Sequence, residues 1–256
     1  MKQKTGKMLL AAAAAFMLLA SACGSGPEGS RPGSAYTDTY DPEALFRYGM
    51  TPIKDKETGR YGYKNEAGQW VIEPQFTMAN AFQVNKTAFV RTGSNKDAFR
   101  LIDRDGAFVS DYIFKRYTDE LEFAPNGIGI GTVCQADGTE LGHGYFYLEN
   151  GDIQFVKREE STLSGFSKDG YAVLDNKAVI NDKFEYVIPP QEDWYMIRES
   201  NGLIGVNYLK AKKGYPERGY MDVNGNMVIE GLRFSTGFFA DNGIAVADDK
   251  LIDKSG

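Results

Sequence analysis

The sequence predicts an all-β protein built from tandem three-stranded antiparallel meander repeats, arranged as a propeller-like ring or an open β array. Three observations carry that expectation. Short runs rich in aromatic and β-branched residues alternate with turn residues along the body of the chain, which is strand chemistry. Glycines recur after Asp or Asn within those runs, where tight hairpins need φ > 0. Outside the first 22 residues, no stretch keeps an apolar stripe at helical spacing; 77–83 has room for one helical turn at most.

The runs are copies of one another, and such self-similarity sets the architecture before any single residue does. Tyr61-Gly62-Tyr63-Lys64-Asn65-Glu66-Ala67-Gly68, Phe99 to Gly106 and Arg218 to Gly225 superpose around their last glycine. Leu251-Ile252-Asp253-Lys254-Ser255-Gly256 repeats Leu101 to Gly106, and Gly144 to Gly151 is a weaker copy. A second anchor follows: Trp70-Val71-Ile72-Glu73-Pro74-Gln75 matches Tyr186-Val187-Ile188-Pro189-Pro190-Gln191, and in part Met227-Val228-Ile229-Glu230. Pro74 is expected to end its strand or keep it at a sheet edge. The third anchor is an aromatic four residues before a glycine: Phe123 with Gly127, Phe166 with Gly170 and Phe239 with Gly243, with Phe82 and Lys86 as a degenerate copy. The anchors recur in one order about every 32 to 45 residues and define about five units over 40–256, the last incomplete.

This pattern resembles the WG-repeat family (also called KWG repeats), whose units carry a Trp-Gly-Tyr-Ile-Asp-x-x-Gly hairpin followed by Val-Ile-x-Pro. The resemblance covers about residues 46 to 256, with Tyr61-Gly62 and Arg218-Gly219 standing where the family has Trp-Gly. It implies a repeat scaffold with no established catalytic residues.

The first forty residues carry a different message. Lys2, Lys4 and Lys7 precede an apolar run from Met8, and Ala20-Ser21-Ala22 are small. The run reaches 15 residues at Ala22, short of the roughly 20 that span a bilayer as a helix, so residues 1–22 read as a signal peptide. Leu19-Ala20-Ser21-Ala22-Cys23 resembles the lipobox of bacterial lipoproteins, with Ala20 where that motif usually has Leu. The resemblance implies cleavage before Cys23 and lipid on its thiol, leaving the chain on the extracytoplasmic face of a cell membrane. Residues 23–39 are the lipidated cysteine and a Gly-, Ser- and Pro-rich tether without enough apolar surface to fold.

Composition narrows the partners. The net charge of −6 falls to −9 without residues 1–22, which hold three Lys and no acid; such a chain repels nucleic-acid phosphates. With Cys23 lipidated, Cys134 has no partner for a disulfide and is expected in the core.

The search for chemistry returns little. His143 is the only histidine, which rules out sites needing several imidazoles, and it is expected in a surface loop before a strand. Asp222, Asn224, Asn226 and Glu230 have Met227 and Arg233 where a calcium loop needs Gly and Glu; the recurrence of the acidic turn points to turn chemistry. No catalytic set, metal site or cofactor is expected. Trp194, Tyr195, Tyr145 and Tyr147 are the candidate ligand-binding residues, able to stack on sugars or peptide side chains, whereas Trp70 is expected in the core. The expected function is a non-enzymatic, membrane-anchored scaffold for a protein or glycan. The alternative is a hydrolase of cell-wall or extracellular polysaccharide that draws carboxylates from different repeats.

Overall fold

The computed structural model describes residues 41, 43–116, 121–209, 217–233 and 235–256. The predicted leader 1–22, Cys23 and the tether 23–39 lie outside the described residues. All regular structure within them is antiparallel strand, in six small sheets. The first contains β1 (Met50–Lys54), β2 (Tyr61–Asn65) and β3 (Trp70–Phe76). The second pairs β4 (Met78–Ala79), β5 (Ala88–Arg91) and β6 (Arg100–Ile102). The third has the order β10-β9-β8-β7, from β7 (Ile113–Lys115), β8 (Gly129–Cys134), β9 (Glu140–Glu149) and β10 (Asp152–Lys157). The fourth is β11 (Tyr171–Leu174), β12 (Ala178–Asn181) and β13 (Tyr186–Ile188). The fifth runs β14 (Trp194–Ser200), β15 (Leu203–Tyr208), β16 (Glu217–Asp222) and β17 (Met227–Leu232). The sixth is the hairpin β18 (Ala245–Ala247) and β19 (Lys250–Ile252).

Each sheet buries one face against the next, so the core is a series of inter-sheet layers. Tyr63 and Ile72 of the first sheet pack with Phe82, Val90 and Ile102 of the second. Phe89 and Leu101, on the other face, pack with Phe114, Val133 and Phe146. Tyr145 then meets Phe166, Ala172 and Ile180, Val173 and Val179 meet Met196, Ile204 and Val206, and Tyr220 meets Phe239, Ala245 and Ala247. Neighbouring strand residues thus serve opposite layers, as the pleat requires. Among the described residues no apolar cluster joins β18–β19 to the first sheet, and the array is open rather than closed.

The repeat anchors have distinct structural duties. Asn65, Asp103, Asn181 and Asp222 each open a turn in which the side-chain oxygen accepts backbone N–H groups two or four residues on. Asp and Asn hold tight turns in this way. The last residue of the turn needs positive φ: Gly68, Gly106 and Gly225 supply it, and Phe184 adopts it at 64°. The lack of a glycine at Phe184 hides this unit from the hairpin anchor, which explains six sheets against about five units. Gly62, Gly144 and Gly219 answer to close approach instead. A Cβ there would collide with the carbonyl oxygen of Ile72, Val156 or Ile229 on the neighbouring strand.

The downstream aromatic is the other half of that device. Tyr63, Tyr145 and Tyr220 are each wholly buried, with ring centroids 4.9 Å from Phe82, Phe166 and Phe239 respectively. Their hydroxyls donate to the carbonyls of Asn80, Ser164 and Gly237 at 2.7–2.8 Å. In these three units a tyrosine therefore pins the next turn by a tilted or edge-on ring contact and by a buried hydrogen bond.

Several sequence expectations need correcting. No helical turn forms at 77–83, because the Thr77 and Asn80 amides donate across the sheet to Arg91 and Phe89. Trp70 is half-buried rather than core, its ring covered by the Lys64 ammonium 4.3 Å away. His143 lies within β9, half-buried, with Nε2 2.9 Å from the Glu160 carbonyl. Of the two placements expected for Pro74 the second holds: it lies within β3, which is an edge strand. Cys134 is buried, in agreement with expectation.

Candidate functional site

The four aromatic candidates do not form one site. Tyr145 is fully buried and bonded to Ser164, so its ring and hydroxyl serve the core and are closed to a ligand. Tyr147 is half-buried, 5.8 Å between centroids from Phe184. Trp194 and Tyr195 are neighbours on β14; Tyr195 is exposed, whereas Trp194 turns into a groove.

That groove, of about 590 Å³, is lined by Trp194, Tyr208, Arg218, Met227, Glu230 and Gly231. Its geometry follows from the strand register. Trp194 faces Tyr208 directly across β14 and β15, with ring centroids 4.7 Å apart and planes at 50°. Asn207 faces Arg218 across β15 and β16, which brings the guanidinium strand alongside the aromatic pair. The β16–β17 register then shifts between Arg218 and Tyr220, where Gly219 lets Ile229 O come close. Bulges of this kind re-aim the side chains beside them. The result is an aromatic pair beside a cation and an acid, a set able to stack on a flat apolar face and to exchange hydrogen bonds at its rim.

A second concave region lies where turns meet. The aromatic-to-glycine turns of successive units begin at Gln83, Ala124, Ser167, Glu199 and Ala240, each with its amide bonded to the residue four positions on or its side chain closing the turn. Gln83 is fully engaged: Nε2 donates to Leu121 O at 3.1 Å, and Oε1 accepts Phe123 N at 2.6 Å. Glu199, 1% exposed, accepts the Gly202 amide through Oε1, with the Ser167 hydroxyl and the Lys168 ammonium close to its carboxyl. Burial pushes its pKa up and the Asp169 carboxylate adds to that, against the pull of the Ser167 hydroxyl and Gly202 amide. A cleft of about 290 Å³ opens here between Pro125, Phe166, Phe239 and the turn residues.

The remaining polar clusters are built from local pairs. Glu160 is held by Arg158 at 2.5–3.0 Å and by the Tyr186 hydroxyl at 3.0 Å. Burial alone would raise its pKa, but the Arg158 guanidinium, its own backbone amide and the Tyr186 hydroxyl together outweigh that, and the net shift is downward. Asp222 is lowered by the Asn226 side chain and backbone, which bond its carboxylate; the turn consumes the oxygens a cation would need. Asp248 and Asp249 form the tip of the β18–β19 hairpin with positive φ at both, and Asp248 accepts the Arg233 and Ser235 amides.

Residues 61–95 match the family model described as WG containing repeat. The match spans β2 to β5, that is, the hairpin, the Val-Ile strand and the aromatic turn of the first unit. The chain is thus similar to that family in its repeat. No curated protein matches the chain.

Tyr208, Arg218 and Glu230 escaped the sequence search because strand pairing, not sequence proximity, gathers them around Trp194. Glu199 was detectable in principle. The aromatic slot of Phe82, Phe123, Phe166 and Phe239 holds Arg198 in the fifth sheet's turn, a break in an otherwise regular anchor.

Proposed function

We propose that this chain is an exported lipoprotein, tethered through Cys23 to the outer face of a cell membrane, whose β repeats bind a ligand without transforming it. The Trp194–Tyr208 groove is the observation that carries the reading. An aromatic pair flanked by Arg218 and Glu230 suits a glycan, whose C–H faces stack on rings while its hydroxyls take charged partners; a protein loop is the other candidate. Among the groove's described lining residues Glu230 is the one acid, whereas glycoside hydrolysis needs two carboxyl groups flanking the bond. That supports binding over the hydrolase alternative.

The tether and the groove are tested separately. Growth with an alkyne fatty acid should label the wild-type chain and leave Cys23→Ser unlabelled; equal labelling of both would defeat the anchor. For the groove, an array of wall and extracellular glycans is probed with the purified protein and with Trp194→Ala. Loss of one stacking ring, on the order of 1.4 kcal/mol, should weaken a genuine ligand about tenfold. Undiminished binding by Trp194→Ala would remove the groove from the function.

A further inference from the structure

The slot two residues after each Asx turn carries a large side chain that stays partly exposed. It holds Trp70, Phe108, Tyr186 and Met227 in the first, second, fourth and fifth sheets. Phe108 is 41% and Tyr186 49% exposed. Each lies beneath a guanidinium, that of Arg100 at 3.6 Å and that of Arg158 at 5.8 Å from the ring centroid. Both guanidiniums also hold a carboxylate, Asp111 and Glu160 respectively. Met227 lines the Trp194 groove together with Arg218 and Glu230. Ring, cation and acid thus recur at one place in the repeat. The fold itself does not require them there, because in the third sheet the corresponding residue is Ile153, which is buried.

The copy at Tyr186 is concave, with a hollow of about 460 Å³ bordered by Arg158, Glu160 and Tyr186. Its position relative to the groove follows from register. Tyr186 faces Ile180 across β12 and β13, and Ile180 belongs to the layer between the third and fourth sheets. Met227 faces Met221 across β16 and β17, and Met221 belongs to the layer between the fourth and fifth. The two concave sites therefore stand at the rims of consecutive layers, in equivalent slots of the repeat. Sheets packed face to face lie roughly 10 Å apart. In both sites cations are matched by acids: Arg158 by Glu160, Lys157 by Glu159, and Arg218 beside Glu230. Such a surface exerts little pull on a charged polymer. Two ring platforms one layer apart suit an extended, uncharged chain of sugars, whose C–H faces stack on the rings while its hydroxyls meet the polar rim.

We infer that the Tyr186 hollow and the Trp194 groove are adjacent subsites for one extended, uncharged polysaccharide chain, with Tyr186 as the second stacking platform. The inference rests on the glycan reading of the groove and deepens it, since it makes the ligand a chain interior and not a terminal sugar. A chain that reaches both subsites makes its second contact intramolecularly, so affinity rises with chain length until both are filled.

The test is isothermal titration of the purified protein with cello- and chito-oligosaccharides, which are extended and uncharged, comparing disaccharide with hexasaccharide in each series. In at least one series the hexasaccharide should bind at least about tenfold tighter than the disaccharide. Tyr186→Ala, at an exposed position, should bring the hexasaccharide down to the affinity of the disaccharide. Tyr186→Phe keeps the ring and should stay within about threefold of wild type. Trp194→Ala separates the two claims. Hexasaccharide binding that needs Trp194 but is unchanged in Tyr186→Ala overturns the inference and leaves the groove standing as a glycan site. Binding indifferent to Trp194→Ala defeats the groove and the inference with it. Equal affinity for disaccharide and hexasaccharide, or no saturable binding in either series, also overturns the inference.

Discussion

Three tyrosines do at the residue scale what no glycine or proline does, each linking its own hairpin to the turn that follows. Tyr63, Tyr145 and Tyr220 are buried to the ring edge, and each hydroxyl caps a carbonyl 17 to 19 residues downstream. Replacing any one with Phe keeps the ring and leaves that carbonyl unpaired, which should cost about 1–2 kcal/mol in urea unfolding. An unchanged midpoint would show that the hydroxyl is dispensable. Glu199 makes a prediction of opposite sign. Its folded-state pKa lies above the ordinary 4.5, so the folded chain binds the proton more tightly than the unfolded chain. Stability from this group is therefore lost as pH rises above the unfolded pKa, until the folded pKa is passed. Glu199→Gln escapes that loss: its stability relative to wild type should rise as the pH is taken above 4.5 and then level off. A difference independent of pH would refute the assignment. The two residue types also differ in how much the sequence disclosed. The tyrosine slot was visible as a repeat, but its burial was not: Tyr145 looked like a ligand platform because sequence alone does not say which sheet face the next unit covers.

At the scale of elements, the hairpins were legible because their turns obey strict local chemistry. Asx residues and positive-φ glycines are set by backbone sterics within four residues, and no tertiary contact is needed to recognise them. Where packing overrides that chemistry, recognition falters. Phe184 holds φ 64° in the glycine slot because its ring packs against Tyr145, Tyr147 and Phe166, with centroids 5.8–5.9 Å apart. Lys86 holds φ 63° in the corresponding slot of the first aromatic turn, with its ammonium 6.0 Å from the Tyr48 ring centroid. Lys86→Gly should relieve roughly 1–2 kcal/mol of left-handed strain against roughly 0.5–1 kcal/mol of added chain entropy. A net gain of about 0–1.5 kcal/mol is expected in thermal unfolding; a loss would mean that the contact of the Lys86 ammonium with the Tyr48 ring outweighs the relieved strain. Trp70 shows the reverse failure. Its slot predicted core, yet the slot faces outward in the fourth sheet too, where Tyr186 is exposed, and in the first sheet Lys64 covers the indole.

The whole molecule is a series of nearest-neighbour layers. Each of the five apolar clusters draws on two consecutive sheets, which is the condition for stability to be a sum over units and interfaces. Phe82→Ala should therefore raise hydrogen exchange in β1 to β6 while leaving β14 to β19 near their wild-type protection. Uniform deprotection would instead indicate a single cooperative core. The sequence foresaw the repeats but left ring and open array as alternatives, because closure depends on contact between the first and last sheets, and no short-range motif encodes it. The same logic explains the groove. Trp194 was recognisable as an outlying aromatic, but its partners Tyr208, Arg218 and Glu230 come from three other strands of the fifth sheet, assembled by register and by the bulge at Gly219.

Whether the Trp194–Tyr208 groove holds a ligand decides the function of the protein. The most direct measurement is the affinity of purified wild-type protein and Trp194→Ala for glycans from the cell wall and surface, with Tyr195→Ala as a neighbouring control. Tyr195 is exposed and lies outside the groove. A saturable glycan ligand is expected, whose affinity falls about tenfold in Trp194→Ala and stays unchanged in Tyr195→Ala. Equal binding by all three proteins, or cleavage of the bound glycan by the wild type, would contradict it.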